Sequence, residues 1–314
     1  MNFLFRDAAG PDLAPGGSVL CVGAFDGVHL GHRALFARAR ARADALGLAA
    51  LAVSFEPIPR EFFARGAPVA RLASVREKIA MIAAAGIARL LLLRFDAKLA
   101  ALSAEAFVDD VLLGRCGARE IWIGADFRFG HARRGDAGLL AERAARSGGT
   151  VAIIDDVRVH GERVSSSAVR AHLAAGEFAA AAQLLGRAFT IGGHVVRGQR
   201  LGRTLGYPTA NLRLGRRVAP VGGVFAVRVH GVAAEPWPAV ASLGVRPTVD
   251  GGGEPLLEAH LFDFDGDLYG RRLDVEFVEK LRDEEKFADL AAMVRQIDRD
   301  AAAARRILGA EAAA

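Results

Sequence analysis

The feature that most constrains the fold is the alternation of short apolar runs and helical stretches through the first half of the chain. Short, uniformly apolar runs are typical of strands that are buried on both faces of a parallel sheet. Helices between them, such as those predicted for residues 32–46 and 103–113, would supply the right-handed crossovers of such a sheet. Five strands are predicted, at residues 18–23, 48–55, 90–94, 121–124 and 151–155.

Loops of unusual composition follow four of these predicted strands. GAFDGVHLGH follows the first strand, SFEPIPREFF the second and GADFRFGHARRGD the fourth, and RVSSSAVR lies beyond the fifth. The carboxyl ends of parallel strands meet at one edge of the sheet, and ligands of open α/β sheets bind outside that edge. The four segments therefore predict a single cleft.

The pattern changes near Gly186, after a helical connector predicted for residues 171–185. Beyond it, glycine and proline separate short strands such as residues 225–229 and 273–277, a pattern typical of barrels and sandwiches. An amphipathic helix is predicted for about residues 287–308. The second half of the chain is thus expected to be mainly β-structure that ends in a helix.

Length and composition narrow the class of protein. With 314 residues, 52% of them hydrophobic, the chain is long enough for two cores, which we expect at residues 1–185 and 186–314. No apolar run reaches the roughly 20 residues of a membrane span, and the first residues lack the pattern of a secretory signal. We therefore expect a cytoplasmic location.

The two cysteines form no C-x-x-C pair and are expected to be reduced, structural thiols.

The net charge of +5 permits nucleic acid, an anionic membrane surface or phosphorylated small molecules as partners. The sequence contains neither an aromatic–basic RNA motif nor a recognition-helix signature. We expect small molecules as partners, with no nucleic acid and no membrane, and a monomer or weak homo-oligomer. A nucleic-acid-binding module stays as an alternative.

His29 and His32 lie three residues apart where the first predicted strand leads into a helix. This spacing puts both imidazoles on one face of the first turn, where backbone N–H groups and the helix dipole favour an anion. Gly23, Gly27 and Gly31 allow the main chain to approach a ligand closely. The segment predicts a phosphate site; the alternative is a pair of surface histidines that cap a turn.

GAFDGVHLGH resembles the H-x-G-H signature of the nucleotidyltransferase superfamily, and its longer form resembles the start of bacterial bifunctional riboflavin kinase/FAD synthetases. The resemblance implies that His29 and His32 bind ATP phosphates and stabilise the charge that develops when the α-phosphate is attacked. It implies further ATP or phosphate contacts from Gly23, Phe25, Asp26 and Gly31.

Three more segments extend this resemblance. GADFRFGHARRGD resembles the family's G-x-D-F-x-F-G segment, SFEPIPREFF its F-[DE]-P-x-P segment and RVSSSAVR its R-[IV]-S-S-T-x-[IV]-R segment. A histidine is common in the family where Ile58 stands, so Ile58 is given no catalytic role. Core aromatics and serine helix caps are the structural alternatives. The resemblance implies flavin contacts from Asp126, Phe127 and Phe129, and phosphate contacts from Ser165, Ser166 and Arg170.

GGHVVRGQRLGRTLGYPTAN, residues 192–211, resembles the riboflavin kinase module, although a glycine-rich stretch alone would predict only a flexible turn. The resemblance implies that Thr209 and Asn211 contact Mg²⁺ and an ATP phosphate. Neutral oxygen ligands completed by water and phosphate suit Mg²⁺. The same resemblance implies ATP or phosphate contacts from Gly198, Gly202 and Arg203.

LEAHLFDFDGDLYG, residues 257–270, resembles the segment that holds the catalytic glutamate of the kinase. Glu258 would accept the proton of the riboflavin 5′-hydroxyl as that oxygen attacks the γ-phosphate. Without this match, a single glutamate in a strand is an ordinary solvated side chain. LRDEEKF resembles the flavin-side segment, so Arg282 is expected to contact flavin or phosphate.

The resemblance runs from about Val19 to Leu308 and implies two folds. The first is an α/β Rossmann-like nucleotidyltransferase domain with a parallel five-stranded sheet. The second is an all-β six-stranded barrel riboflavin kinase domain with a C-terminal helix. The implied substrates are riboflavin, FMN and ATP, with Mg²⁺ as cofactor. One alternative is another enzyme class, because H-x-G-H also occurs in cytidylyltransferases, pantetheine-phosphate adenylyltransferases and class I aminoacyl-tRNA synthetases. A further alternative is that one of the two sites is inactive.

Overall fold

The computed structural model describes residues 3–64, 69–197, 207–214, 218–245 and 255–310. The chain divides into two compact units. The first comprises Met1–Val69 and Val75–Ser165, and the second comprises Ala70–Ser74 and Ser166–Ala314. In the described ranges, no helix has both the length and the apolar character that crossing a bilayer requires.

The described part of the first unit contains a parallel sheet of six strands in the order β1-β4-β3-β2-β5-β6. The prediction of five parallel strands is confirmed, but it missed β1, whose two residues are too short to show a period. The strands are β1 Leu4–Phe5, β2 Ser18–Val22, β3 Ala49–Glu56, β4 Arg89–Arg94, β5 Ala118–Gly124 and β6 Thr150–Ile154. A small antiparallel hairpin, β7 Arg158–Val159 and β8 Glu162–Arg163, follows the sheet.

Helices connect the strands of this sheet. Residues 103–113, predicted as one helix, form a short helix, Ala104–Ala106, and then a π-helical segment, Phe107–Arg115. The Cys116 N–H donates to the Val111 carbonyl five residues earlier, and Gly114 fits the wider turn because a Cβ there would lie 3.0 Å from the Asp109 carbonyl. The helices are α1 Leu30–Leu46, α2 Pro59–Phe63, α3 Val75–Ala84, α4 Ala97–Ala100, α5 Ala104–Ala106 and α6 Ala137–Arg146.

Each face of the sheet has its own core. Leu20 of β2 belongs to the same buried cluster as Phe107 on one face. Val19 and Cys21 belong to the cluster on the other face, together with Phe36 of α1. All five residues of β2 are buried, as a central strand of a parallel sheet requires. The loop after β2 therefore starts from a rigid position in the middle of the sheet.

In the second unit, two helices precede a barrel: α7 Ser166–Ala175 and α8 Phe178–Leu185. The single connector predicted for residues 171–185 is broken because Gly176 adopts a φ of 80°, which ends α7. Among the described residues, six antiparallel strands close the barrel in the order β10-β13-β12-β11-β14-β9. They are β9 Thr190–Val196, β10 Ala210–Arg213, β11 Gly223–His230, β12 Trp237–Val245, β13 Pro255–Leu261 and β14 Arg272–Arg282.

The predicted barrel and C-terminal helix are confirmed, although the helix, α9 Leu290–Leu308, begins three residues later than predicted. Asp289 caps it, because the Asp289 carboxylate accepts the Ala292 N–H at 2.7 Å. One face of the barrel strands packs against α9 in a cluster that contains Val224, Ala226, Val240, Phe262, Ala301 and Ala304. This packing brings polar residues of α9 close to the barrel strands.

Candidate active sites

The first candidate site lies at the carboxyl edge of the parallel sheet. The strand order puts a topological switch point between β2 and β5, because the chain continues from β2 to one side and from β5 to the other. Ligands of open α/β sheets bind outside the carboxyl ends of strands at such a point. The loop of residues 23–29 follows β2 and that of residues 125–130 follows β5, so the structure brings two of the predicted segments to one edge.

The two predicted histidines meet at the start of α1. Their rings stack with centroids 3.6 Å apart and an angle of 17° between the planes. His29 is the N-cap residue, and its Nδ1 accepts the backbone N–H of His32 at 3.4 Å. Because Nδ1 accepts, a neutral His29 carries its proton on Nε2. The helix start thus holds one imidazole in a defined tautomer and the other stacked against it.

His32 lies in an apolar environment. Burial, and secondly the neighbouring His29, lower the pKa of His32 well below its usual value of 6.5. Its Nδ1 is buried and has no hydrogen-bond partner within the described part of the chain. The Phe25 and His32 rings lie nearly perpendicular, with centroids 5.2 Å apart. His32 is therefore neutral at pH 7, and it retains hydrogen-bonding capacity for a ligand.

The loop before the histidines is tightly turned. Phe25, Gly27 and Val28 have φ angles of 50°, 79° and 40°, a region that non-glycine residues occupy mainly under constraint. Phe25 is only 1% exposed, and Asp26 is buried as well. A Cβ on Gly23 would lie 2.7 Å from the Phe25 ring. Gly23 thus makes room for Phe25, and phosphate contacts from Gly23, Phe25 and Asp26 stay predictions.

Val164 of the RVSSSAVR segment lies beside the histidine turn. A Cβ on Gly31 would lie 3.7 Å from the Val164 carbonyl oxygen, an ordinary van der Waals distance, and 3.2 Å from the His29 ring. Ser165 ends the first unit, whereas Ser166 begins α7 of the second. The Arg170 guanidinium donates to the carbonyls of Ala70 at 2.7 Å and Ser166 at 3.1 Å. Phosphate binding by these serines and Arg170 stays a prediction.

The predicted flavin residues of the first unit differ in exposure. Asp126 is exposed and pairs with Arg163, which also contacts Asp156 at 2.9 Å. Phe127 and Phe129 stack with centroids 5.3 Å apart. Phe129 is 7% exposed and belongs to the sheet core, whereas Phe127 is only partly buried. Phe127 therefore has the more accessible ring for stacking a planar ligand.

Lys78 of α3 makes a buried contact beneath one of the predicted loops that the sequence analysis missed. It is fully buried, and its Nζ donates to the Phe55 carbonyl at 2.8 Å and the Glu56 carboxylate at 3.2 Å. These contacts hold the end of β3, where the SFEPIPREFF segment begins. Ile58 in that segment is 2% exposed. A lysine inside a helical pattern carries no signal of this role in the sequence.

The second candidate site lies on one face of the barrel. Asn211 of β10 stands directly opposite Glu258 of β13, and Glu258 stands opposite Ser242 of β12. Residues that face each other in an antiparallel pair have neighbouring side chains. The same row continues through Val224 to Arg282 of β14. Register thus brings Asn211, Glu258 and Arg282 into one row, whereas Gly198, Gly202 and Arg203 lie outside the described residues.

The side chain of Asn211 indicates whether the second site could bind a metal ion. It is 5% exposed, and its side-chain oxygen Oδ1 is buried without a hydrogen-bond partner in the described ranges. Thr209, two residues earlier, is half-buried. In these ranges no group of three or more His, Cys, Asp or Glu side chains is arranged to hold a metal. A buried oxygen on the residue opposite Glu258, two positions after Thr209, fits Mg²⁺ that takes its other ligands from phosphate and water.

Arg282 is already engaged in an ion pair. Its guanidinium binds the buried Asp300 of α9 in a bidentate arrangement, with Nη2 2.8 Å from Oδ2 and Nε 3.1 Å from Oδ1. The guanidinium also lies 5.6 Å from the centre of the Phe287 ring. Arg282 thus joins the end of β14 to the C-terminal helix. Its predicted contact with flavin or phosphate stays a prediction.

Comparisons with known proteins agree with this division into two sites. The family model for FAD synthetase matches residues 13–168, and the model for riboflavin kinase matches residues 185–308. A crystal structure of a protein described as a macrolide-efflux protein from Streptococcus pneumoniae is similar with a TM-score of 0.76 and 29% identity. The similarity covers 95% of this chain and 97% of that one.

Two curated relatives are similar over nearly their whole length. The chain is 48% identical over 291 residues to a bifunctional riboflavin kinase/FMN adenylyltransferase of Pseudomonas fluorescens. It is 43% identical over 293 residues to the protein of that description from Escherichia coli K12. In both cases 93% of each chain is covered. The chain belongs to the bifunctional riboflavin kinase/FMN adenylyltransferase family.

Proposed function

We propose that this chain phosphorylates riboflavin to FMN with residues of the C-terminal domain, 186–314, and adenylylates FMN to FAD with residues of the N-terminal domain, 1–185. The observation that carries the proposal is that each unit holds its own set of groups suited to ATP phosphates. These sets are the His29–His32 pair and the Asn211–Glu258 pair. We assign the two catalytic domains to residues 1–185 and 186–314, and the reactions to the cytoplasm. We propose that the partners are small molecules and not nucleic acid. We propose that the oligomeric state is a monomer or weak homo-oligomer.

In the adenylylation, a phosphate oxygen of FMN attacks the α-phosphorus of ATP. The bond from that phosphorus to the oxygen bridging to the β-phosphate breaks, and pyrophosphate leaves. The N–H groups of His29, His32 and the first turn of α1 would stabilise the negative charge that develops there. The lowered pKa of His32 supports a role as a neutral donor. Gly31, Ser165, Ser166 and Arg170 are proposed to contact the phosphates.

Flavin binding at the first site is proposed for Asp126, Phe127 and Phe129. The exposed part of the Phe127 ring would stack on the isoalloxazine. Phe129 lies behind Phe127 and would hold its ring in place, which the stacking distance of 5.3 Å supports. The ion pair with Arg163 would hold Asp126 in one orientation.

In the phosphorylation, the 5′-hydroxyl oxygen of riboflavin attacks the γ-phosphorus of ATP and ADP leaves. Glu258 would accept the hydroxyl proton. Thr209 and Asn211 would hold Mg²⁺ through neutral oxygens, which the buried Oδ1 of Asn211 supports. When bound, Mg²⁺ offsets the negative charge of the phosphates. Arg282 is proposed to orient the flavin-side segment.

The direct test is to incubate the protein with riboflavin, ATP and Mg²⁺ and to separate the flavins by chromatography over time. We expect FMN first and then FAD, with one ADP formed for each riboflavin consumed and one pyrophosphate for each FAD. Accumulation of FMN with no FAD, or FAD formed only from supplied FMN, would instead mean that one of the two sites is inactive. No conversion of any flavin by folded protein would overturn the proposal.

A further inference from the structure

We propose that His260 is a positioning residue of the kinase reaction, which holds the segment of Pro208 to Asn211 against the strand that carries Glu258. The inference rests on the roles proposed above for Thr209, Asn211 and Glu258. It concerns how these residues are kept in place relative to each other.

The pairing of β10 with β13 ends just before the segment that needs to be held. Ala210 opposite Ala259 is the last pair of this ladder. Pro208, two residues earlier, has no N–H and cannot continue it in the usual way. The Nδ1–H of His260 instead donates to the Pro208 carbonyl at 2.9 Å. The imidazole thus takes the place of a ladder bond at the position where backbone pairing stops.

This bond also defines the state of the histidine. A carbonyl oxygen can only accept, so the proton must be on Nδ1 of His260. Glu258 and His260 are two residues apart on one strand and share a face. The bond from His260 therefore links the strand of the proposed base directly to the proposed metal-binding segment.

Tyr207 holds the same segment from its other side. Its ring packs edge-on against His260, with centroids 5.0 Å apart. Its hydroxyl donates to Asp298 of α9, and this hydrogen bond is the main cause that raises the pKa of Tyr207 to about 12. The ring also packs against the apolar cluster between the barrel and α9.

Thr209 is thus enclosed between two fixed points. Tyr207 and Pro208 precede it and are held by Asp298 and His260. Asn211 follows it and is held in the ladder opposite Glu258. Catalytic groups that are held in place before substrate binds lower the entropic cost of reaching the reactive geometry. Loss of the His260 bond should therefore weaken the productive binding of MgATP. It should not slow proton transfer to Glu258.

The test compares His260→Leu, which removes the donor, with His260→Asn, whose side-chain N–H can still donate to the Pro208 carbonyl. FMN formation is measured against ATP and Mg²⁺ concentration, and FAD formation from supplied FMN is measured in the same preparations. For His260→Leu we expect kcat/KM for MgATP to fall about tenfold and the half-saturating Mg²⁺ concentration to rise. FAD formation should be unchanged, and His260→Asn should restore most of the loss.

His230→Leu is the matched control. His230 lies in the same barrel and its Nε2 contacts the Glu276 carboxylate at 2.7 Å, six residues along β11 from Val224, where the row of Asn211 and Glu258 crosses that strand. We expect this variant to keep wild-type kinase kinetics. Tyr207→Phe keeps the ring and loses the bond to Asp298, and it should lower kcat/KM for MgATP about threefold. If His260→Leu unfolds the barrel, His260→Ala, which also removes the donor, takes its place in the comparison.

Two results would overturn the inference. One is wild-type kinetics of His260→Leu at every Mg²⁺ concentration, and the other is an equal loss in the Leu and Asn variants. Wild-type kinetics of His260→Ala would do so where His260→Leu does not fold. A different result, an unchanged Mg²⁺ requirement in both Thr209→Ala and Asn211→Ala, would refute the proposed metal site itself and would leave the His260 contact as a purely structural one.

Discussion

The histidine pair of the first unit comes from one turn of chain, whereas the Asn211–Glu258 pair of the second comes from strands that meet only in the folded barrel. His29 caps α1 and accepts the N–H of His32, so local geometry alone brings the two rings together. Asn211 and Glu258 are neighbours because of the register between β10 and β13. A one-residue slip of register would turn one of the two side chains to the opposite face.

This difference has a functional consequence. A histidine pair built on one helix start depends on that helix and on the strand before it. A site built across a barrel depends on contacts throughout the barrel and on the helix that covers it, as the Arg282–Asp300 and Tyr207–Asp298 bonds show. Substitutions far from the chemistry should therefore affect FMN formation more often than FAD formation.

The largest separation of the two sites is expected from Glu258→Gln. Loss of a general base lowers a rate by about 10² to 10⁴-fold, so FMN formation should fall by that factor while FAD formation from supplied FMN is kept. Chromatography of the flavins measures both. Glu279→Gln, at an exposed position of β14, is the matched control and should behave as the wild type. Equal kinase activity in the two variants would remove Glu258 from its proposed role.

His29→Ala should give the reverse pattern. It removes a proposed phosphate donor and the cap of α1, and loss of one such donor costs about 10² to 10³-fold in rate. FAD formation should fall by about that much, and riboflavin should still be converted to FMN. His160→Ala, in the exposed turn between β7 and β8, serves as the control. A folded His29→Ala protein that makes FAD at the normal rate would contradict the assignment.

Asn211→Ala sharpens the comparison, because its expected effect is on metal dependence. Removal of one of the two proposed oxygen ligands should raise the half-saturating Mg²⁺ concentration of the kinase about tenfold. The buried Oδ1 of Asn211 has no partner among the described residues. The substitution should therefore remove no hydrogen bond that this atom makes within the barrel. Thermal unfolding checks this, and a titration of FMN formation with Mg²⁺ measures the effect. An unchanged Mg²⁺ requirement would count against a ligand role.

The smallest effect concerns the acid stability of the first unit. The folded state lowers the pKa of His32 well below 6.5, so below pH 6.5 the unfolded chain binds a proton that the folded chain does not. Stability should therefore fall as the pH drops below 6.5, by up to about 1.4 kcal/mol per pH unit. His32→Gln should flatten this dependence.

Urea unfolding at pH 8.0 and about pH 5.5 measures this dependence. The chain has two tryptophans, Trp122 and Trp237, so a Trp237→Phe background leaves only Trp122 of β5 to report on the first unit. Equal pH dependence in the wild-type and His32→Gln proteins, both in that background, would show that His32 does not have a lowered pKa.

Local features of the molecule were predictable from the sequence to a large extent. Uniformly apolar runs predicted the five longer strands of the sheet, and the H-x-G-H spacing predicted that the two histidines share a turn. The two-residue β1 has no period to detect, and the break at Gly176 depends on a φ of 80° that a helical pattern does not exclude. The π-helical turn before Cys116 was also not predicted, because a helical pattern does not exclude such a turn.

Contacts between distant segments were not predictable in this way. The family resemblance indicated Asn211, Glu258 and Arg282 as separate residues, but their common row follows from the registers of the barrel strands. Lys78 looks in the sequence like any helical lysine, and only the fold brings its Nζ to the end of β3. The bond from His260 to Pro208 likewise depends on where the β10–β13 ladder ends.

The most direct test of the central claim, that two independent sites act in sequence, is a mixing experiment with His29→Ala and Glu258→Gln proteins. Each is incubated alone and together with riboflavin, ATP and Mg²⁺, and FAD is quantified by chromatography. Neither variant alone should form FAD from riboflavin, whereas the mixture should form it, because FMN released by the first protein is used by the second. Absence of FAD from a mixture of two folded proteins, each active in its remaining half-reaction, would contradict the account.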